Sequence, residues 1–433
     1  MNESRILKQG ARVVPGRGEP VVIAGAGLAG ARAAEAMRVA GFDGRVVLIG
    51  EEVGAPYVRP PLSKEYLAGD VDRSAVDVHP VGWYAENRIE RIAGHRAAVL
   101  DRGAHRLVLD DGRSLRYSRI LLATGASPRP FPGPGASLPG VHYLRSLEDS
   151  TRLRAALSEG GRRVVIVGSG WIGLEVAAVA RVYGNEVIVL GRSAVPLESA
   201  LGPELGAVFE GLHRGNGVHF GNNTQVVELE GATRSNGTRV TGVRLSDRTL
   251  VRADLVVVGL GVTPNTQLAL ASGLEVDNGI AVSASFQTSD PDVFAVGDVA
   301  NVHHPRLGRR VRVEHWANAR SAGAAAGRAL LGDPTPYDAI PYLFTHQFDL
   351  GMEYSGFGDL AATAEVVVRG DRAARAFVAF WLADGRVVAG MNVNVPNVND
   401  SVQRLIRSEK RIDAARLADE TIALDDLLDP SPA

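Results

Sequence analysis

Three glycines, Gly25, Gly27 and Gly30, follow the apolar run Val21–Val22–Ile23–Ala24 and lead into a helical stretch, Ala31 to Ala40. Glycines at this G-x-G-x-x-G spacing, between a buried strand and a helix, let a pyrophosphate approach the backbone. The free N–H groups at the helix start then attract its charge. A second strand, Arg45–Val46–Val47–Leu48–Ile49, ends at Gly50–Glu51. A carboxylate roughly 20–25 residues on from such a turn is placed to bond a ribose hydroxyl. The same order returns at Arg163–Val164–Val165–Ile166–Val167–Gly168–Ser169–Gly170–Trp171–Ile172–Gly173, followed by the strand Glu186–Val187–Ile188–Val189–Leu190. Two such units in one chain imply two different dinucleotides. The second closes with Leu255–Val256–Val257–Val258–Gly259–Leu260–Gly261, whose glycines either admit a cofactor or end a strand.

Other segments must position these turns. In Tyr57–Val58–Arg59–Pro60–Pro61–Leu62–Ser63–Lys64, two prolines exclude a central strand and predict an extended loop presenting Arg59 and Lys64. Asp111–Gly112 signals a hairpin between Arg106–Leu109 and Ser114–Tyr117, and Arg119–Gly125 reads as a buried strand ending in a small-residue turn. Pro128, Pro130, Pro132 and Pro134 make a stiff linker and a domain boundary. The stretch Thr288–Asp298 predicts another strand ending in a carboxylate, and an alanine-rich helix runs from about Trp316 to Leu330. From Leu343 to Val395 the chain is β-rich, with a hairpin between Ala376–Leu382 and Val387–Val393 around Asp384–Gly385. One amphipathic helix, about Asp400 to Leu417, follows, with Val402, Leu405, Ile406 and Ile412 as core contacts.

A chain of 433 residues predicts two or three domains. Its formal net charge of −2 gives no basic field for nucleic acid. Cysteine is absent, which excludes disulfides, thiolate metal sites and a redox-active cysteine pair. No apolar run reaches the length of a membrane span. Met1–Pro20 carries Arg5, Lys8, Arg12 and Arg17 without an apolar core, so it reads as a tail and not as a secretory signal. A cytoplasmic protein without a metal site is expected.

Five motifs are more specific: RPPLSK at Arg59–Lys64, LLATGASPR at Leu121–Arg129, GSGWIGLEVA at Gly168–Ala177, AVGD at Ala295–Asp298 and EHWANA at Glu314–Ala319. From about Val21 onward the chain resembles the FAD-dependent NAD(P)H reductases of the putidaredoxin-reductase type. That family passes electrons to small iron–sulfur proteins serving monooxygenases and dioxygenases, and apoptosis-inducing factor is a more distant relative. The resemblance implies an α/β fold with two Rossmann-like dinucleotide-binding domains and a C-terminal α+β domain. FAD would take 21–133 and 263–334, an inserted NAD(P)H domain 134–262, and the C-terminal domain 335–433, after a tail at 1–20. Carried over by position, Ala29, Glu51, Arg59, Lys64, Ala97, Arg145, Asp298 and Trp316 are FAD contacts beside Gly25, Gly27 and Gly30. Gly168, Gly170, Ile172, Gly173, Glu175, Arg192 and Gly261 go to NADH or NADPH. Lys64 and Glu175 resemble the family's catalytic ion pair beside the flavin ring, and Trp316 opens a helix whose positive end would face the ring's pyrimidine edge. Hydride would pass from nicotinamide C4 to flavin N5. With no thiol relay, electrons leave the flavin directly, one at a time. The implied partner is a ferredoxin, with neither nucleic acid nor membrane, and the protein is a monomer or homodimer.

Two departures stand out. Relatives carry a Trp/Phe–Ser/Thr–Asp–Gln segment where this chain has Phe344–Thr345–His346–Gln347, and His346 reads as a polar residue at a domain edge. Relatives that prefer NADH keep an acid where this chain has Gly191, followed here by Arg192 and Ser193. A guanidinium and a hydroxyl beside a small residue suit a 2′-phosphate, while Glu198 is the alternative source of a carboxylate. Two other functions stay open on these residues: a flavin reductase of a small one-electron acceptor, and a redox-sensing interaction protein similar to apoptosis-inducing factor.

Overall fold

Each glycine motif sits at the carboxyl end of the middle strand of a five-stranded parallel sheet, because runs such as Val21–Ala24 and Arg163–Val167 must bury both faces. The computed structural model describes residues 18–234 and 237–428, so most of the expected tail lies outside the described residues. The chain divides into two units. The first holds the described residues up to Tyr57, with Asp77–Ala126 and Pro264–Asp338; the second holds Val58–Val76, Ser127–Thr263 and the chain from Ala339. The fold is α/β, with two Rossmann-like sheets and a C-terminal α+β module.

In the first unit the strand order is Val293–Ala295, Arg119–Leu122, Val21–Ala24, Val46–Gly50 and Ile89–Ala93, all parallel. Val21, Ile23, Val46 and Leu48 face a layer holding Ala29, Ala33, Ala322 and Ala326. Val22, Ala24, Val47 and Ile49 face Leu100, Leu107 and Leu109 on the other side. In the second unit the order is Val218–Gly221, Glu186–Leu190, Arg163–Val167, Leu255–Val258 and Val141–His142, again parallel. Its outermost strand precedes the motif in the chain, whereas in the first unit it follows. The same unit holds an antiparallel sheet in the order Tyr342–Gln347, Leu350–Gly356, Arg386–Val393, Ala376–Ala383 and Glu365–Asp371. Met352, Phe377 and Met391 of that sheet share a core with Val176 and Ala180 of the second glycine helix.

Local structure differs from the sequence expectation in three places. Of Thr288–Asp298 only Val293–Ala295 is strand, and Asp298 sits in the 3-10 turn Gly297–Val299. Tyr57–Lys64 is not an extended loop; Pro60–Ser63 forms a turn of 3-10 helix, followed by a helical turn, Glu65–Ala68, closed by Gly69 at φ +90°. Both prolines take first-turn positions, where a missing N–H leaves no bond unmade. The single helix expected over Asp400 to Leu417 is two helices, Asn399–Ser408 and Ala414–Ala418. Glu409 at φ +52° ends the first, and Ile412 donates its N–H to Gly385 O at 2.8 Å, drawing the intervening residues onto the hairpin turn. Asp413 then caps the second helix at Ala415 and Arg416.

Helix Trp316–Ala329 packs on the first glycine helix, Leu28–Val39, through backbone. A Cβ on Gly323 would meet Ala29 O at 2.5 Å, and one on Gly327 would meet Ala33 O at 2.4 Å. Both pairs advance by four residues in the same direction, so the helices run parallel. Adding a methyl there forces backbone apart. Gly327→Ala is therefore expected to destabilise the protein by about 1–3 kcal/mol. Gly211→Ala, in helix Pro203–Gly215 with open space around its Cβ, is expected to stabilise it by about 0.5–1 kcal/mol. Denaturation midpoints of the two variants check this, and equal shifts in one direction would contradict the packing.

Candidate functional site

The two glycine turns have one geometry. Gly25 has φ +124° and Gly168 +116°, and a Cβ on either would meet a carbonyl, Ala123 O at 2.1 Å or Gly259 O at 2.2 Å. Gly30 and Gly173 close on Gly25 O and Gly168 O in turn. Both following helices, Leu28–Val39 and Trp171–Val182, start from a glycine N-cap with no side-chain cap and no acid in the first turn. By contrast, helix Leu147–Leu157 satisfies its N-terminus with a Ser146–Asp149 capping box. The glycine helices thus keep first-turn N–H groups for an anion, and a pyrophosphate fits them.

Around the first turn the structure gathers most of the residues named for FAD. A Cβ on Gly50 would meet the Ala26 Cβ at 2.5 Å, which sets exposed Glu51 beside the turn. Gly50 O accepts from His95 N at 3.1 Å, two residues before Ala97 opens its strand. Gly297 packs against Ala29, with Asp298 next in the chain. Because Gly323 pairs with Ala29, the Trp316 end of the parallel helix extends about 10 Å beyond, at about 1.5 Å per residue. A dinucleotide reaching from one positive helix end to a second fits that offset.

In the second unit, Arg59 Nε donates to Arg145 O at 3.2 Å. The 3-10 turn is tied to helix Leu147–Leu157 by Ser150 Oγ, which donates to Leu62 O at 2.7 Å. Lys64, so anchored, places Nζ 2.8 Å from Glu175 Oε1; the two side chains are 9 % and 4 % exposed. Lys64 Nζ also donates to Pro60 O at 3.3 Å and stands over the Phe344 ring, 5.8 Å from its centre.

Sequence reading missed the other donors to Glu175. Ser63 Oγ donates to Oε2, and Thr345 Oγ1 donates to Oε1 at 2.7 Å. Gln347 Nε2 donates to Thr345 Oγ1 at 3.1 Å, and His213 Nε2 lies 2.8 Å from Gln347 Oε1. Alternation along Tyr342–Gln347 was the available signal: Thr345 and Gln347 are buried on one face, and His346 is exposed on the other.

At the second strand end, Gly191 stands level with Gly50, and Arg192 with Glu51, because Leu190 pairs with Val167 as Ile49 pairs with Ala24. A Cβ on Gly191 would meet Ser169 Oγ at 2.4 Å, and Arg192 is exposed. Glu198 Oε2 accepts from Ala194 N at 2.8 Å, so its carboxylate closes its own loop. Ile172 is exposed at the second position of its helix, and Gly261, at φ +83°, accepts from Arg129 N at 2.9 Å.

Comparison with known proteins agrees with this architecture. A family described as pyridine nucleotide-disulphide oxidoreductase matches residues 19–323, and a reductase C-terminal family matches 342–428. The ferredoxin–NAD(+) reductase component of the anthranilate 1,2-dioxygenase system of Burkholderia cepacia is 42% identical, over 94% of this chain and 98% of that protein. Putidaredoxin reductase of Pseudomonas putida is 36% identical, over 94% and 96%. A crystal structure of the covalent putidaredoxin reductase–putidaredoxin complex matches with a TM-score of 0.90 at 35% identity, over 95% of this chain and 99% of that one. The chain belongs to the putidaredoxin-reductase type of this family. Unlike the disulphide reductases of the family name, this reductase has no cysteine. Among the described residues, no helix is long and apolar enough to cross a membrane.

His213 is fully buried, and burial pushes its imidazole down from 6.5 to about 4 against a small opposing effect of the Gln347 bond. It is neutral in the fold and charged in the unfolded chain below pH 6.5. The unfolded state therefore binds the extra proton, and stability falls as pH drops from 6.5 toward 4, by about 3 kcal/mol in all. Thermal unfolding between pH 7 and 4 should show a shallower acid loss in His213→Gln than in the wild type. Parallel profiles would contradict the assignment.

Proposed function

We propose that this reductase takes hydride from NAD(P)H onto FAD and delivers single electrons to a ferredoxin-type iron–sulfur protein, in the service of a monooxygenase or dioxygenase. The observation that carries it is the pair of uncapped glycine-turn helices, two dinucleotide cradles in a chain without cysteine. When bound, FAD supplies the redox chemistry, accepting two electrons together and returning them singly. The chain's own part is to bind, orient and tune. Gly25, Gly27, Ala29, Gly30, Glu51, Ala97, Asp298 and Trp316 hold FAD, with Arg59, Lys64 and Arg145. Gly168, Gly170, Ile172, Gly173 and Gly261 hold the nicotinamide cofactor. Lys64 and Glu175 are the residues assigned to the ring face, where a fixed cation favours negative charge. On this reading 21–133 and 263–334 form the FAD domain, 134–262 the NAD(P)H domain and 335–433 the C-terminal domain. The protein works in the cytoplasm, as a monomer or homodimer, without nucleic acid.

The test is NAD(P)H-dependent reduction of cytochrome c through a panel of ferredoxins and rubredoxins. At least one should raise turnover well above that with a quinone alone, and the purified protein should release one noncovalent FAD per chain on denaturation. Turnover no faster with any iron–sulfur protein than with the quinone would favour a small-acceptor reductase instead.

The second cradle also bears on cofactor choice. A guanidinium, Arg192, stands level with the Glu51 carboxylate of the first, and Glu198 is engaged by its own loop. A ribose 2′-phosphate suits that exchange of charge. NADPH should be accepted well, and Arg192→Ala should lower kcat/KM for NADPH about tenfold more than for NADH, the scale of one charge-assisted hydrogen bond. Strong NADH selectivity unchanged by the substitution would return Arg192 to solvent.

A further inference from the structure

We propose that Thr345, oriented by Gln347 and His213, is a positioning residue that fixes the Glu175 carboxylate and, through it, Lys64. This rests on the reading of Lys64 and Glu175 as the pair at the ring face. Four buried side chains, none more than 4 % exposed, form a directed line: His213 to Gln347, Gln347 to Thr345, Thr345 to Glu175. The line crosses from helix Pro203–Gly215 through strand Tyr342–Gln347 to helix Trp171–Val182.

Its direction is set at the far end. His213 Nδ1 is buried and has no hydrogen-bond partner among the described residues. A proton there would be a stranded donor, which folds tolerate less than a stranded acceptor. The neutral ring therefore carries its proton on Nε2 and donates it to Gln347 Oε1. That fixes the amide, so Gln347 Nε2 faces Thr345 Oγ1. A hydroxyl with its acceptor side filled has one proton left, and Glu175 Oε1 lies 2.7 Å away to receive it. With the other tautomer the amide turns over, Thr345 donates to Gln347, and Glu175 loses a donor. Lys64 shares Oε1 with Thr345, so the hydroxyl holds in place the same oxygen that holds the ammonium. A buried ion pair adds little to stability beyond an apolar pair of equal volume, so a chain of this length is better explained by geometry than by stability.

The test uses the FAD-loaded full chain and the variants Thr345→Val, Thr345→Ser, His213→Leu and Glu175→Gln. In anaerobic stopped flow, Thr345→Val should lower the limiting rate of flavin reduction about tenfold. The half-saturating NAD(P)H concentration should stay within twofold, because the hydroxyl acts on orientation and not on binding. Thr345→Ser should restore the rate, and His213→Leu, which frees the Gln347 amide and keeps the hydroxyl, should lower it by a smaller factor. An equilibrium readout accompanies this: the long-wavelength absorption of the dithionite-reduced enzyme on adding NAD+, which reports ring stacking. That band should weaken in Thr345→Val and His213→Leu and return in Thr345→Ser. If Glu175→Gln slows reduction while Thr345→Val keeps the wild-type rate and band, the positioning role is overturned. If Thr345→Ser is as impaired as Thr345→Val, the effect is one of packing and the proposal fails. If Glu175→Gln itself keeps the wild-type rate and band, the ring-face reading beneath it fails as well.

Discussion

A carboxylate removed from water must be met by donors, and Glu175 is met by three, from an ammonium and two hydroxyls. Much of the second unit can be understood from that requirement. Lys64 and Ser63 can reach it only because the prolines at Pro60 and Pro61 start a 3-10 turn that Ser150 holds to the neighbouring helix. Thr345 can reach it only because the first strand of the C-terminal sheet presents alternate residues inward. The carboxylate itself lies in the first part of the second glycine helix, so whatever fixes it is referenced to the glycine turn at that helix's start.

The other organising constraint is the unsatisfied helix N-terminus. A helix start can be closed by a side chain, as Ser146 and Asp413 do here. Helices Leu28–Val39 and Trp171–Val182 have no such cap, and both follow a turn where only glycine fits, since a Cβ would strike a carbonyl. In the first unit the alanine- and glycine-rich helix from Trp316 aligns a second positive end with the first. Its unusual composition follows from backbone-to-backbone packing at Gly323 and Gly327, where larger residues would move Trp316 away.

How much of this could be read in advance follows from the range of the interactions. The glycine turns, the parallel strands and the Asp384–Gly385 hairpin are written in contiguous residues, and sequence period and turn chemistry reveal them. The turn at Pro60–Ser63 and the break at Glu409 were not legible as such, because each is decided by a tertiary contact: Leu62 to Ser150, and Ile412 to Gly385. The donors to Glu175 lie 112 and 170 residues away, and no local pattern reports such a distance. Fold and glycine turns were therefore visible in the chain, whereas the neighbours of the central carboxylate were visible only once folded.

A chain with no cysteine has no thiol relay, so on the proposed reading electrons pass onward from the flavin itself. On the proposed reading, the Lys64–Glu175 pair sets how fast the flavin is reduced. The most direct measurement is anaerobic stopped-flow reduction of Lys64→Met, which keeps the apolar stem and removes the charge. The account predicts one FAD per chain, as in the wild type, with a limiting reduction rate at least about tenfold lower. Full FAD occupancy with an unchanged rate would contradict it.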